Sequence, residues 1–169
     1  MKNLAKSFEI WESINIGPRL RLPKQVEVDA SELYWIKSLK WRDFRWSEIG
    51  GDGDNIIWLD LNTVLDTDLF DGVVVDIQRI HNTFNQIHIS MAESLRGIGL
   101  GTKIYKSLLH HLGHIYSSKR RGMNPIIYDV LKNISKDKTI THVSNGLGDL
   151  YVYNGFEFSS DIIDYFNKI

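Results

Sequence analysis

The chain has 169 residues, 43% of them apolar, which is enough for one core and cramped for two, so a single domain spanning residues 1–169 is expected. Its 20 basic residues nearly cancel its 21 acidic ones, and the net charge of -1 excludes a polybasic protein held to nucleic acid or anionic lipid by its overall field. There is no cysteine, which removes disulfide scaffolds, thiol nucleophiles and thiolate-ligated metals together.

The first ten residues carry charges and no uninterrupted apolar run, so neither a signal peptide nor a membrane span is expected, and a cytoplasmic location is the reading. Pro18 and Pro23 break the stretch that follows. A helix is predicted over 31–39, with Ser31 as N-cap and Glu32 in the first turn. Trp35, Trp41 and Trp46, interleaved with Lys37, Lys40, Arg42 and Arg45, have the composition of a nucleic-acid stacking surface. Such tryptophans more often serve cores and interfaces, so nucleic acid is not the expected partner.

Glycine, aspartate and asparagine over 50–55 make a turn, and 56–61 reads as a strand. The β-branched run over 72–80 predicts a second strand, 81–85 a reversal, and 86–91 its antiparallel mate. The period then changes from two to 3.6. Ile104, Leu108, Leu109, Leu112, Ile115 and Tyr116 share one face of a helix predicted over 102–118 and stopped by Gly122. Asn124 as N-cap and Pro125 open a shorter helix with Ile127, Val130, Leu131 and Ile134 inward. A strand over 139–144, a short helix over 146–153 ended at Gly155 and a strand over 156–158 complete a mixed α+β chain.

Charge is strongly segregated. Residues 47–77 hold eight acids and no lysine or arginine, whereas 78–121 hold seven basic residues and one acid, Glu93. The first stretch suits a cationic partner and the second a phosphate-bearing small molecule.

The most informative segment runs from Met91 to Lys103 and joins a strand directly to a helix. Gly97, Gly99 and Gly101 let the backbone approach a ligand, and the helix behind them presents unpaired amides and the positive end of its dipole. The order Arg96-x-x-Gly99-x-Gly101 is neither the dinucleotide fingerprint nor the ATP-binding loop.

The segment does resemble the acetyl-CoA loop of the GNAT superfamily of N-acetyltransferases, Arg/Gln-x-x-Gly-x-Gly/Ala between the fourth strand and third helix. A second family pattern, Leu-Tyr-x-x-x-Gly-Phe, is matched by Leu150-Tyr151-Val152-Tyr153-Asn154-Gly155-Phe156. The likeness covers roughly residues 56–158. It implies a three-layer fold with a mostly antiparallel central sheet flanked by helices, acetyl-CoA as cofactor, and transfer of acetyl to a primary amine by direct attack in a ternary complex.

Carried over residue by residue, the resemblance gives the amides of Arg96, Gly97, Ile98, Gly99, Leu100, Gly101 and Thr102 to the CoA pyrophosphate. It gives the main chain of Met91, where the fourth strand splays from the fifth, to the pantetheine arm, and Ser144 or Asn145 to a further cofactor contact. Tyr151 becomes the general acid. The family's base falls on Ile87 or Asn85, neither of which is basic, while His88 lies one step out of phase and needs a bulge to face the cleft. Asp76, His142 and Glu93 are further candidates.

An alkylamine is almost wholly protonated at neutral pH, so a base or a water relay is required. The acceptor is expected to be a cationic small-molecule amine or a protein lysine or amino terminus. The alternative is a module of the same fold that works through protein contacts of its Trp-rich amino-terminal half. His110 and His114, four apart on the predicted helix with His111 between them, have a zinc-chelating spacing but no third ligand, so no metal is expected. With only thirteen residues after Phe156, the last strand pair is expected to be short, leaving an edge that a second copy of the chain could cover.

Overall fold

The structure, a computed structural model, describes residues 21–63, 67–118 and 125–169. The expected break at Pro18, the stop at Gly122 and the cap at Asn124 lie outside the described residues.

Helix α1, Ala30–Ser38, begins at a capping box two residues earlier than its sequence suggests. The Asp29 carboxylate accepts from the Glu32 amide at 2.8 Å, and the Glu32 side chain accepts from the Asp29 amide at 3.1 Å. Ser31 instead donates its hydroxyl to Asp29 at 3.0 Å. A 3-10 turn, Trp41–Asp43, leads into β1, Arg45–Asp52, and a tight reversal at Gly53 (φ 66°) returns the chain as β2, Ile56–Asn62. Sequence periodicity does not reveal β1, because this edge strand is exposed along nearly its whole length and buries no alternating face.

Strands β3, Val73–Ile80, and β4, Phe84–Met91, form the expected hairpin, in unbroken register from Val73 opposite Met91 to Ile80 opposite Phe84. Helix α2, Leu100–Leu112, is shorter than predicted. Gly113 ends it in the left-handed region (φ 87°), and its amide bonds to the Leu109 carbonyl at 2.9 Å. His114–Ser118 is therefore not helical but strand β5. Helix α3, Pro125–Ile134, is followed by β6, Ile140–Ser144. The predicted helix over 146–153 is strand β7, Gly148–Tyr153, and the predicted strand over 156–158 gives way to helix α4, Ser159–Lys168.

The seven strands form one sheet in the order β1-β2-β3-β4-β5-β7-β6. Every neighbouring pair is antiparallel except β4 and β5, which are parallel. Side chains alternate between the two faces, and two buried clusters divide accordingly. Ile36 of α1, Ile104 and Leu108 of α2, and Leu131 and Ile134 of α3 pack with Val75, Ile77, Ile87 and Tyr151. Ile162 and Phe166 of α4 pack with Phe84, Tyr116, Leu150 and Val152. Tyr151 and its neighbours Leu150 and Val152 thus belong to different clusters, which makes the architecture three-layered: helices, a mostly antiparallel sheet, and a helix on the far side. Among the described residues no helix is long and apolar enough to cross a membrane.

Asp76, 1% exposed, points away from the cluster that holds Val75 and Ile77. Arg21 neutralises it, with Nε 2.8 Å from Oδ1, and the same guanidinium donates to the carbonyls of Val75 (2.9 Å) and Leu59 (3.3 Å). A buried carboxylate held this way is a structural anchor, not a free base.

Candidate active site

Strand β4 delivers the chain to the glycine loop. Beyond Met91, Ala92 donates its amide to Gly72 at 2.7 Å, on the β3 side. The carbonyl of Met91 belongs to the same trans peptide and so points the opposite way, toward the open edge of β4. There Arg96 Nε donates to it at 2.9 Å. Arg96 therefore covers the very main-chain group that the resemblance gives to a pantetheine arm.

Leu95, fully buried, pins the short 3-10 turn Glu93–Leu95 to the core, and the chain then crosses Gly97 (φ 75°) and Gly99 (φ 81°) before α2 begins at Leu100. Both glycines adopt a backbone conformation that side chains disfavour, and beyond their chain neighbours no heavy atom lies within 4 Å of where either Cβ would stand. Gly99 is the N-cap and offers no side chain, and the first turn of α2 contains no acid. The amides of Leu100, Gly101 and Thr102 thus open the helix without a side-chain cap, at the positive end of its dipole. Ile98 packs partly against the core and holds the loop from below. Uncapped amides at a helix N-terminus favour an anion.

The cations that follow the loop are mostly engaged elsewhere. Lys103 reaches back to the C-terminal end of α1, donating to the carbonyls of Lys37 at 3.0 Å and Ile36 at 3.3 Å, and partial burial lowers its pKa. Lys106 lies 3.7 Å from Asp137. Arg96 is the cation within the loop itself.

Strands β4 and β5 share one register pair, Gln86 opposite Tyr116. At the preceding residue the contact is already side-chain mediated, since Asn85 donates its amide to Nε2 of His114 at 3.2 Å. Ile87 and Asn85, the two positions to which the resemblance assigns a base, are both buried, Ile87 within the apolar cluster. His88 lies on the other face of β4, opposite Asp76 in the register, and the unbroken register shows no bulge to rotate it. Its Nε2 is 3.1 Å from Gln78 Oε1 and 3.5 Å from Gln86 Nε2, a half-buried polar row on the sheet face away from α2. Glu93 is exposed in its 3-10 turn.

Tyr151 sits mid-strand on β7, opposite Ile115 on one side and His142 on the other, and is 2% exposed. Its ring lies flat on the His142 imidazole, with centroids 4.5 Å apart and planes 5° from parallel. His142 Nε2 in turn is 2.9 Å from Asp149 Oδ1. Burial, helped by Asp149 and Tyr128, pushes the Tyr151 phenol up to about 12. Reading 146–153 as a helix hides this group, because Asp149 and Tyr151 share a face at a spacing of two, which only a strand produces.

The structure does not bring Tyr151 to the glycine loop. Along the strands Tyr151 is level with Asn85, and Met91 lies six residues further on, roughly 20 Å away at strand rise. Asn145 is engaged in its own hairpin and with α4: its Oδ1 accepts from the amides of Leu147 (2.8 Å) and Gly148 (3.2 Å), and its Nδ2 donates to Phe166 O at 2.9 Å. Asn145 closes the β6–β7 hairpin, and Ser144 Oγ bonds within the same hairpin, to Gly148 O at 3.4 Å.

The expected histidine spacing on one helix does not exist, since His114 begins β5. Among the described residues no group of three His, Asp or Glu side chains is placed to hold a metal ion.

No family model matches the chain, and no curated protein and no solved structure matches it.

Proposed function

We propose that the chain binds acetyl-CoA at the Arg96–Thr102 cradle and transfers the acetyl group to a primary amine. One observation carries this reading: a parallel strand pair, joined in register at Gln86–Tyr116 alone, runs directly into a glycine loop whose helix amides have no side-chain cap. That is the arrangement the GNAT resemblance implies, and the local geometry fits an anionic cofactor, because Gly97 and Gly99 leave open space where a Cβ would stand.

Bound there, acetyl-CoA supplies an activated thioester. The residues of the chain bind and move protons around it. The amides of Leu100, Gly101 and Thr102, with Arg96 swinging from the Met91 carbonyl, hold phosphate oxygens. Once Arg96 has moved, the main chain of Met91 is free to pair with an extended ligand. On its α2 face β4 presents Asn85, Ile87 and Ile89, none of them a base, so the ammonium proton passes to a water, and His88 stays on the other face beside Gln78. Tyr151, kept protonated by burial, is the proton donor that the resemblance assigns to the leaving thiolate. The exposed acids Glu48, Asp52 and Asp54 on the β1–β2 hairpin favour a cationic acceptor, either a small amine or a protein amino group. Thiol release from acetyl-CoA across a panel of amines tests the reading, and turnover with no amine at all contradicts it.

The burial of Tyr151 favours a second reading. A phenol that is 2% exposed and stacked on its neighbour can serve purely as core, in which case the chain binds the cofactor and acts through protein contacts of its Trp-rich amino-terminal half.

A further inference from the structure

A groove of about 520 Å³ lies between the Trp41–Asp43 turn, the start of β1 and the C-terminal half of α2. It is lined by Trp41, Arg42, Arg45, Trp46, His110 and His111, with no acidic side chain among its walls. Its aromatic surfaces are held in place. The Trp46 indole donates to Ser107 Oγ at 2.8 Å, and Trp41 lies tilted against His110 and His110 against Tyr153, each with centroids 4.2 Å apart, while the Arg42 guanidinium stands 5.1 Å from the Trp41 ring. Its cations have no carboxylate. Neither Arg42 nor Arg45 forms an ion pair among the described residues, although Arg45 is positioned by the carbonyls of Arg42 and Phe44 at 2.6 and 3.0 Å.

We infer that this groove is a binding site for a nucleotide-sized ligand, a planar ring carrying a phosphate. Two unneutralised guanidinium groups suit a phosphate dianion, fixed indoles suit a planar ring, and the volume suits one nucleotide rather than a polymer. The local potential agrees: after burial, Lys106 and Arg42 hold His110 below its ordinary value, against Asp137. The site is separate from the glycine cradle. Ser107, His110 and His111 lie six to ten residues past Gly101 on the same helix, roughly 9–15 Å along its axis.

Calorimetry of the full chain separates the parts. AMP and UMP are titrated alongside adenosine and inorganic phosphate, with a short single-stranded oligoribonucleotide as the polymeric source of the same chemistry. The account expects a mononucleotide to bind at least roughly tenfold more tightly than either half, since ring and phosphate are both recognised. Arg42→Ala should weaken it about tenfold and Arg42→Lys by less, while Gly101→Val leaves it unchanged. In the same titrations the His110 midpoint, followed by NMR, should rise as the bound dianion offsets Lys106 and Arg42. The inference is overturned by no binding of any mononucleotide, by phosphate or adenosine binding as tightly as the nucleotide, or by binding of the oligonucleotide alone. Loss of nucleotide binding in Gly101→Val also overturns it, because the ligand would then be occupying the cofactor cradle.

Discussion

The Asn85 amide donates to Nε2 of His114 at 3.2 Å, so at the closed end of the β4–β5 junction a side chain does what main chain does elsewhere in the sheet. The ring can accept there only while Nε2 carries no proton. Burial pushes the His114 pKa down to about 4 from an ordinary 6.5.

This predicts an acid-sensitive junction. Below about 6.5 the unfolded chain takes up a proton that the folded chain refuses until about 4, so stability is complete above that window and falls as pH drops through it. The loss should total about 3 kcal/mol. His114→Gln keeps an acceptor but cannot titrate, so urea unfolding at a series of pH values should show a slope shallower by about one proton between those limits. Identical slopes for the two proteins would contradict the assignment.

A second prediction concerns the Arg21–Asp76 pair. Arg21→Ala leaves a carboxylate buried without its partner, which should cost about 3–5 kcal/mol in denaturant unfolding. Arg21→Lys should recover only part, because an ammonium cannot also reach the carbonyls of Leu59 and Val75 in the geometry of the guanidinium. A loss under about 1 kcal/mol in Arg21→Ala would show that water or another cation reaches Asp76.

Tyr151 separates the two functional readings. Tyr151→Phe removes one oxygen from a ring that packs on His142, so stability and cofactor affinity should barely move. If the phenol protonates the leaving thiolate, the chemical step slows about a hundredfold, and acyl donors with a more acidic thiol recover part of the rate. An unchanged single-turnover rate would make Tyr151 a core residue. With its pKa near 12, the phenol should impose no fall in rate on the alkaline side below about pH 10.

The sequence made some of this fold legible, and the reasons differ by element. The β3–β4 hairpin is plain in its β-branched run and polar reversal, and the glycine loop in its spacing. The end of α2 is not, because Ile115 and Tyr116 fall by chance on the helical period of Ile104, Leu108 and Leu112. The true stop, Gly113, is a single residue whose added Cβ would stand 2.3 Å from the Phe156 ring. That contact between distant segments is invisible locally. Strand β7 is misread for the converse reason: it is covered on both faces, by Tyr151 toward one cluster and Leu150 and Val152 toward the other, so it shows no alternation of polarity. In the site, the backbone cradle could be read from glycines, whereas the commitments of Asp76 to Arg21 and of Asn145 to its hairpin depend on partners 55 and 21 residues away.

The central claim is that the Gly97–Thr102 loop receives the cofactor, and direct titration of acetyl-CoA into the wild-type chain and Gly101→Val tests it. A Cβ at Gly101 meets only Met91 Cε, at 3.7 Å, and valine is no worse than glycine inside a helix, so the variant should fold with an unchanged thermal midpoint. The account predicts one cofactor bound per wild-type chain and an affinity at least roughly a hundredfold weaker in the variant, as its side chain crowds the amides. Failure of the wild-type chain to bind acetyl-CoA, or equal affinities in the two proteins, would contradict it.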